Sequence, residues 1–549
     1  METTDCPTEG DPLKRGEDGV EMGSAPPETE LKKGCKEVLG LSKLTQWRTA
    51  VFFLSLFLCL TVVFAFSFII PCPVRPQYMA SWNRTFSDAE TYDFLAFDDA
   101  SKDKVMDIML VLKSTSASTN NTCDNAGLPS PCLFMLAVDG TDGKTLWERP
   151  LEPDFHWAQC GLDKNADRKW DCLLSHSNQL SALDKSNGEI KWQQPRTPGL
   201  HGRLPVLSVP DLNGDKVSDV ALVATDNMQQ DQLVFLSGKT GAQIGSTVTL
   251  NTTETSGHLL HSTGGGAHYL LLQQDTGLYG LALRNIAAKA QVGMEVGLKK
   301  DKQLERKVAV GSGLVPVYMS DSLRHVAKTG DSDSSNLLAV TGSEVALIDG
   351  KTLQLLWLFN TTSVVREPSF GHFNKDGVPD VVLEDMSGNT KTVLILDGKT
   401  GDILWSVDLL ASPDLPRPAS IFTTNSISIF VFWGLLPAKD NSSVGFSGDH
   451  RSYMLHPLYS NLLLESDNVM EHIVTFKATL MERGRHAAFV LLTGPGTGDA
   501  AGAVGLNKWK LKHDVPQSKV IPIGDPDKES TTDDNDIKEA FNRLRFSDN

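Results

Sequence analysis

Three times along the chain, oxygen-bearing side chains recur at positions one, three, five and nine of a short loop that runs straight into an apolar stretch, and a fourth copy keeps all but the first. The fullest copy is Asp211-x-Asn213-x-Asp215-x-x-x-Asp219, followed by Val220-Ala221-Leu222-Val223. A tight loop turns odd-position oxygens toward one point, and carboxylates crowded there repel unless a hard divalent cation sits among them. A helix-flanked calcium loop would carry Glu at position twelve. Position twelve here is Leu222, so the loop feeds a buried strand. For any single copy the competing reading is a solvated Asx-rich turn between strands. Recurrence shifts the balance: Asp163-x-Asn165-x-Asp167-x-x-x-Asp171 precedes Cys172-Leu173-Leu174, and Asp99-x-Ser101-x-Asp103-x-x-x-Asp107 precedes Ile108–Leu112. The fourth copy, His372-x-Asn374-x-Asp376-x-x-x-Asp380, opens on a poor calcium ligand, which leaves Asn374, Asp376 and Asp380 as its candidates. Loop-then-strand units that repeat dictate the fold before any other feature does.

A second element follows each loop. Asp139…Trp147, Asp184…Trp192, Asp349…Trp357 and Asp397-Gly-Lys-Thr-Gly-Asp-Ile-Leu-Trp405 share one spacing from Asp to Trp. Ser237-Gly-Lys-Thr-Gly241 keeps the frame but has Gly245 where Trp would stand. The Asp-Gly and Asn-Gly pairs supply left-handed backbone for a hairpin, and each Trp packs at an equivalent place. Strand, turn and strand return about every 45–65 residues, the period of a propeller blade. Blades that lack an acidic loop include His268–Leu272 with Leu278–Leu283, and the poorly marked stretches around Ile427–Trp433 and Ala487–Leu492. The expected fold is all-β, a propeller of eight blades with seven as the alternative, over about residues 86–523.

The N-terminal part is of another kind. Residues 1–48 are polar, with ten acidic and seven basic side chains, and read as a disordered tail. Thr49–Ile70 contains no charged residue, and at 1.5 Å rise it is long enough to cross a bilayer. It starts too late and runs too long for a cleaved signal peptide. Lys32, Lys33, Lys36, Lys43 and Arg48 lie on its N-terminal side, which is then cytoplasmic. A stalk over 71–85, the propeller and an acidic tail over 524–549 would be extracellular or lumenal. In that tail Ile537, Phe541 and Leu544 can form one short amphipathic helix, docked or frayed.

Two features agree with this orientation. The acceptor sequons at Asn83, Asn120, Asn251, Asn360 and Asn441 all follow the apolar segment. Cys123 and Cys132 bracket a Pro/Gly loop, and Cys160 and Cys172 bracket the Asp163–Asp171 loop. Oxidised pairs suit the secretory pathway, though four cysteines allow three connectivities. Cys72 is left over at the membrane exit, either free or bridging two chains as a homodimer. Cys6 and Cys35 fall in the cytosolic tail, and Cys59 in the apolar segment.

The loop Asp211-Leu-Asn-Gly-Asp-Lys-Val-Ser-Asp219 with its strand resembles the FG-GAP repeat of integrin alpha chains. The whole layout resembles the FG-GAP-containing type II membrane proteins of family with sequence similarity 234, nearest its A-type members. That resemblance implies a structural calcium in the three complete loops; the Phe-Gly half of the motif is visible at Phe370-Gly371 alone. It implies architecture more than activity. The Asp-to-Trp turns also resemble those of quinoprotein dehydrogenase propellers, which supplies an enzyme alternative. No Cys-x-x-Cys-His, adjacent cysteine pair, Gly-x-Ser-x-Gly or His-Glu-x-x-His is present to support it. His258 and His261 could hold a metal, but loop surface is the plainer reading. The net charge of −17 would repel a phosphate backbone and disfavours nucleic acid as a partner.

The expectation is therefore a membrane-anchored glycoprotein, at the plasma membrane or in the secretory pathway. Its calcium-stabilised propeller would bind an unidentified protein on the outer face. A trafficking or assembly factor for other membrane proteins is a further alternative. Calcium would gather the side chains above plus the position-seven carbonyls of Val105, Lys169 or Val217.

Overall fold

A computed structural model describes residues 46–69 and 81–547, apart from 119–120, 165, 198, 254, 293–296, 310–312, 412–414, 438–450, 467–471, 483–485, 496–500 and 524–532. It divides into two compact units, Met1–Pro76 and Gln77–Asn549.

In the first, one helix spans Gln46–Ile69. Its described side chains, Trp47 and Ala50–Phe64, are all exposed and uncharged. Continuous description over Ala50–Phe64 covers about 22 Å at 1.5 Å per residue. Among the described residues no helix is long and apolar enough to cross a membrane.

The second unit is a β-propeller. Among the described residues its strands run antiparallel in seven hydrogen-bonded sheets, most of them in chain order. The seven-stranded sheet is special because one long strand, Ser81–Asp98, lies inside it. Residues Ser81–Ala89 pair with the strand Gly502–Lys510, whereas Glu90–Asp98 pair with Asp107–Ser114, and the register breaks in between. One strand is thus the last of the C-terminal blade and the first of the N-terminal blade. Its hydrogen bonds join the two ends of the ring and leave no open edge there. Divided within that strand, the described strands form eight units of four or five strands; counted as continuous sheets they form seven. In chain order the units are one, Glu90–Leu151; two, Phe155–Pro195; three, His201–Thr253; four, Gly257–Met319; five, His325–Asn360; six, Ser369–Leu410; seven, Ala419–Glu465; and eight, Ile473–Lys510 with Ser81–Ala89.

Strand position within a unit explains the sequence pattern. Second and third strands such as Ile108–Leu112 and Leu133–Val138 are buried on both faces, so they read as unbroken apolar runs rather than alternating ones. Fourth strands alternate: in Leu355–Asn360, Trp357 is buried while Leu356 and Leu358 face out. The apolar clusters lie in the seams between units. One joins Met109, Val111 and Leu133 of unit one to Ala158, Leu174 and Leu183 of unit two. The C-terminal helix Asp534–Asn542 is N-capped by Asp533 and docked. Its Ile537 and Phe541, with Leu544 and Phe546, complete the cluster shared by units seven and eight. The strand Lys519–Pro522 adds a fifth strand to unit seven.

Candidate functional site

The Asp211 loop gathers its acids. Ligand oxygens of Asp211, Asp215 and Asp219 all lie within 4.8 Å of one another. The backbone makes this possible: Gly214 and Lys216 take left-handed φ of 80° and 68°, folding the loop on itself. Asp211 Oδ1 accepts from the N–H of Gly214 at 2.7 Å and its Oδ2 from Lys216 at 2.7 Å. Burial, with Asp215 and Asp211 alongside, pushes the Asp219 carboxyl above its ordinary value. Three acids held together at such a cost fit a divalent cation, which would repay the repulsion.

The other loops do not gather three acids in this way among the described residues. In the Asp163 loop, Asp167 Oδ2 turns away to accept from the N–H and Oγ–H of Ser218 in unit three, at 2.9 and 2.7 Å. The loop also contains its own cation. Arg168 is buried and donates to the carbonyls of Ser218 and Asp219, each at 2.9 Å, while Asp167 and Asp163 neighbour its charge. Asn165 lies outside the described residues. In the Asp99 loop, Asp99 accepts from the N–H of Lys104 at 3.1 Å and Asp103 from Val105 at 2.8 Å; the exposed Ser101 engages Asp107 through its backbone. In the fourth loop His372 packs on the Phe422 ring at 5.1 Å, Asn374 donates to Asp397 at 3.0 Å, and Asp376 accepts from Val378 at 2.8 Å. Among the described carboxylates of these loops, the structure brings Asp211, Asp215 and Asp219 together.

Position nine has a role that spacing alone did not reveal. Asp219 takes the N–H of Leu212 in its own loop at 2.6 Å and of Gly238 in the following hairpin turn at 3.0 Å. Asp380 does the same with Phe373 and Gly398, and Asp107 with Ser101 and Gly140. Each is a buried carboxylate that ties loop to turn, satisfying N–H groups that no strand partner reaches. Burial pushes Asp107 and Asp380 up to about 6. In unit two the turn has Lys185 in place of glycine, and Asp171 accepts from Gly161 and Asp163 instead. In unit five Asn336 Oδ1 accepts from the Gly350 N–H at 3.0 Å, so this unit keeps the clamp without a recognisable acidic loop. An Asx one residue before a strand was the available signal. The turn glycine is required because a Cβ at Gly398 would sit 1.9 Å from the Pro379 carbonyl.

The repeated tryptophans fasten one unit to the next. Trp357 of unit five donates to the Gly398 carbonyl of unit six at 3.0 Å, and its ring covers Gly401, which has no room for a Cβ. Trp147 reaches Lys185, Trp405 reaches Ser460, and Trp82 of the closing strand reaches Gly140. The cysteines pair as Cys123–Cys132 and Cys160–Cys172. Asn83, Asn251 and Asn360 lie on outermost strands of units eight, three and five. Asn120, Asn441, Cys72 and the tail cysteines lie outside the described residues. His258 and His261 are not on a surface loop: both are buried on the strand Gly257–Ser262, on opposite faces, and cannot share a metal.

A central channel of about 1230 Å³ is lined by first strands of several units. Its wall carries Asp93, Glu367, Arg417 and Lys477. Arg417 pairs with Glu367 at 2.6 Å, and Lys477 donates to the Leu95 carbonyl at 2.5 Å. Burial holds the Lys477 ammonium below its usual value, against the pull of Asp93.

A family model described as the FAM234A/B beta-propeller matches residues 82–547. The chain is 35% identical to Protein FAM234A of Homo sapiens, over 98% of this chain and 95% of that one. It is 28% identical to Protein FAM234B of Mus musculus, over 81% of this chain and 74% of that one. Among solved structures, the WD40 domain of SCAP from fission yeast covers 78% of this chain and 98% of its own, with a TM-score of 0.43 and 11% identity.

Proposed function

Because this chain belongs to the FAM234A/B family of β-propeller proteins, we propose that it is a membrane-anchored glycoprotein whose propeller receives a segment of another protein in its central channel. The observation that carries this reading is the channel itself. At about 1230 Å³ it exceeds the roughly 300–1,000 Å³ of ordinary small-molecule sites, and its walls present charges of both signs rather than a nucleophile set beside a base. A protein strand or loop with alternating charge matches it. The helix Gln46–Ile69 is the proposed anchor, with the N-terminus cytoplasmic and the propeller outside; its row of exposed Phe, Leu and Val side chains supports that assignment. The partner, on this reading, is the outer domain of another membrane protein, as an assembly or trafficking role would need.

Proximity labelling from a C-terminal tag, repeated with Arg417→Glu and Asp93→Lys, tests the proposal. The expected result is loss of a defined set of outer-face neighbours in the charge-reversed variants. An unchanged neighbour set would refute the channel as the binding site, and labelling of cytosolic proteins would refute the orientation.

Calcium belongs to the proposal at one loop. Asp211, Asp215 and Asp219 with Asn213 and the Val217 carbonyl offer the oxygens a calcium shell needs. Its contribution would be structural, about 2.7 kcal/mol at a hundredfold excess over the dissociation constant. Elemental analysis and melting with and without chelator test it, with Asp215→Ala expected to abolish the response.

A further inference from the structure

Unit four lacks both the acidic loop of unit three and the seam tryptophan of unit five. It has no acidic loop, and its fourth strand Val315–Met319 has no tryptophan. Its first strand, Gly257–Ser262, carries His258 and His261 instead. Three-residue spacing sends the two rings to opposite faces. His258 Nε2 donates to the Pro205 carbonyl of unit three at 2.8 Å, and His261 Nε2 to the Gly350 carbonyl of unit five at 2.6 Å. Gly350 is the turn glycine of unit five, the counterpart of Gly398, which Trp357 engages. His261 therefore makes the contact that tryptophan makes in other seams, and His258 adds one on the opposite side, with one chemical difference: imidazole titrates.

A carbonyl only accepts, so each ring must carry its proton on Nε2, and in the neutral form Nδ1 is then a bare acceptor. His261 is fully buried and its Nδ1 has no partner. Protonation would place a second N–H and a charge where nothing receives them. We propose that His258 and His261 are paired proton-sensitive latches, closing the ring on both sides of unit four when neutral and releasing that unit on acidification while the tryptophan-held seams stay shut.

His258 faces Arg203 and Asp231 of unit three, themselves paired at 2.5 Å. His261 faces Lys328, Asp333 and Asp349 of unit five. His268, on the adjoining strand and joined to Ser262 Oγ at 2.8 Å, senses Asp333, Lys299 and Lys328. The carboxylates favour the charged imidazoles, but burial outweighs them: it pushes His258 down to about 4 and lowers His261 and His268. Folded-state values below the unfolded 6.5 mean that the stability these rings add is present above pH 6.5 and is lost as pH falls below it.

Hydrogen–deuterium exchange on the purified full chain at pH 7.5 and 4.5, corrected for the intrinsic pH dependence of exchange, tests the latch. Peptides over 257–262 and 344–350 report the unit-four seam; peptides over 81–86 and 133–140 report the Trp82 seam. An opening that frees one such histidine gains about tenfold per pH unit below 6.5, so the unit-four peptides should exchange at least about tenfold faster at pH 4.5, with the Trp82 seam unchanged. The double variant His258→Gln/His261→Gln retains side-chain N–H donors that do not titrate, and it should lose the acid response. No acceleration in the wild type, equal acceleration at both seams, or an undiminished response in the double variant would each overturn the proposal. Should the double variant fail to fold, the comparison of the two wild-type seams decides alone.

Discussion

Replacing Asp380 by alanine and by asparagine separates the backbone clamp from a cation site. Asp380 is fully buried, and its oxygens accept from Phe373 N–H at 2.6 Å and Gly398 N–H at 3.0 Å. Alanine leaves both donors stranded, at about 1–3 kcal/mol each, so the loss is roughly 2–6 kcal/mol. Asparagine keeps one acceptor and removes the charge. Burial lifts the Asp380 carboxyl from 3.8 to about 6, a gap of ~2 units worth about 3 kcal/mol against the ionised form at neutral pH. Asparagine recovers that sum while giving up one hydrogen bond, so Asp380→Asn should fall within about 2 kcal/mol of wild type at pH 7.5. The pH dependence has a definite sign. A folded value above the unfolded one gives stability that is complete below pH ~4 and is lost as pH rises through about 6. Wild type should therefore gain up to about 3 kcal/mol on the asparagine variant between pH 7.5 and 4. Denaturant unfolding of the purified full chain in chelator, at several pH values, measures both quantities, and effects of distant histidines cancel in the difference. If asparagine proved as damaging as alanine at pH 7.5, with a gap that ignored pH, the charge itself would be required and the clamp argument would be wrong.

Trp357→Ala should cost about 3–5 kcal/mol, because it empties a seam and strands the Gly398 carbonyl; a loss under 1 kcal/mol in the same unfolding assay would show that the seam does not depend on it. Lys391 and Glu384 form a buried pair at 2.8 Å, with Arg366 3.7 Å from the other Glu384 oxygen. Lys391→Met alone should lose about 3–5 kcal/mol, and Lys391→Met/Glu384→Met much less; equal losses in the two would contradict the desolvation argument. Burial pushes His176 and His456 down to about 4. Each should withdraw stability as pH falls from 6.5 toward 4, about 3 kcal/mol apiece at the limit, and His176→Gln should flatten part of the melting-temperature profile.

The sequence itself determined the propeller. Apolar runs at even spacing, Asp-Gly turns and tryptophans at a fixed offset are local patterns, and each is enforced by backbone geometry within a few residues. A C-terminal amphipathic helix was legible in the same way, from Ile537 and Phe541 on one face; that it docks on units seven and eight was decided by the tertiary structure. Tertiary structure decided what the acidic loops do. Asp167 and Asp215 occupy the same loop position, yet one bonds to Ser218 in the next unit and the other joins a carboxylate cluster. Loop spacing fixes where a carboxylate begins but not which neighbour is near enough to claim it. Arg168 shows why: its guanidinium, placed beside Asp167 and Asp163, bonds to the Ser218 and Asp219 carbonyls of the next unit, contacts that the repeat pattern does not encode. The closing strand Ser81–Asp98 and the histidines of unit four depend likewise on partners far away in sequence. Those contacts exist only once the units have packed: the seam of units four and five brings the Gly350 carbonyl to His261, and closure of the ring brings the Gly140 carbonyl to Trp82.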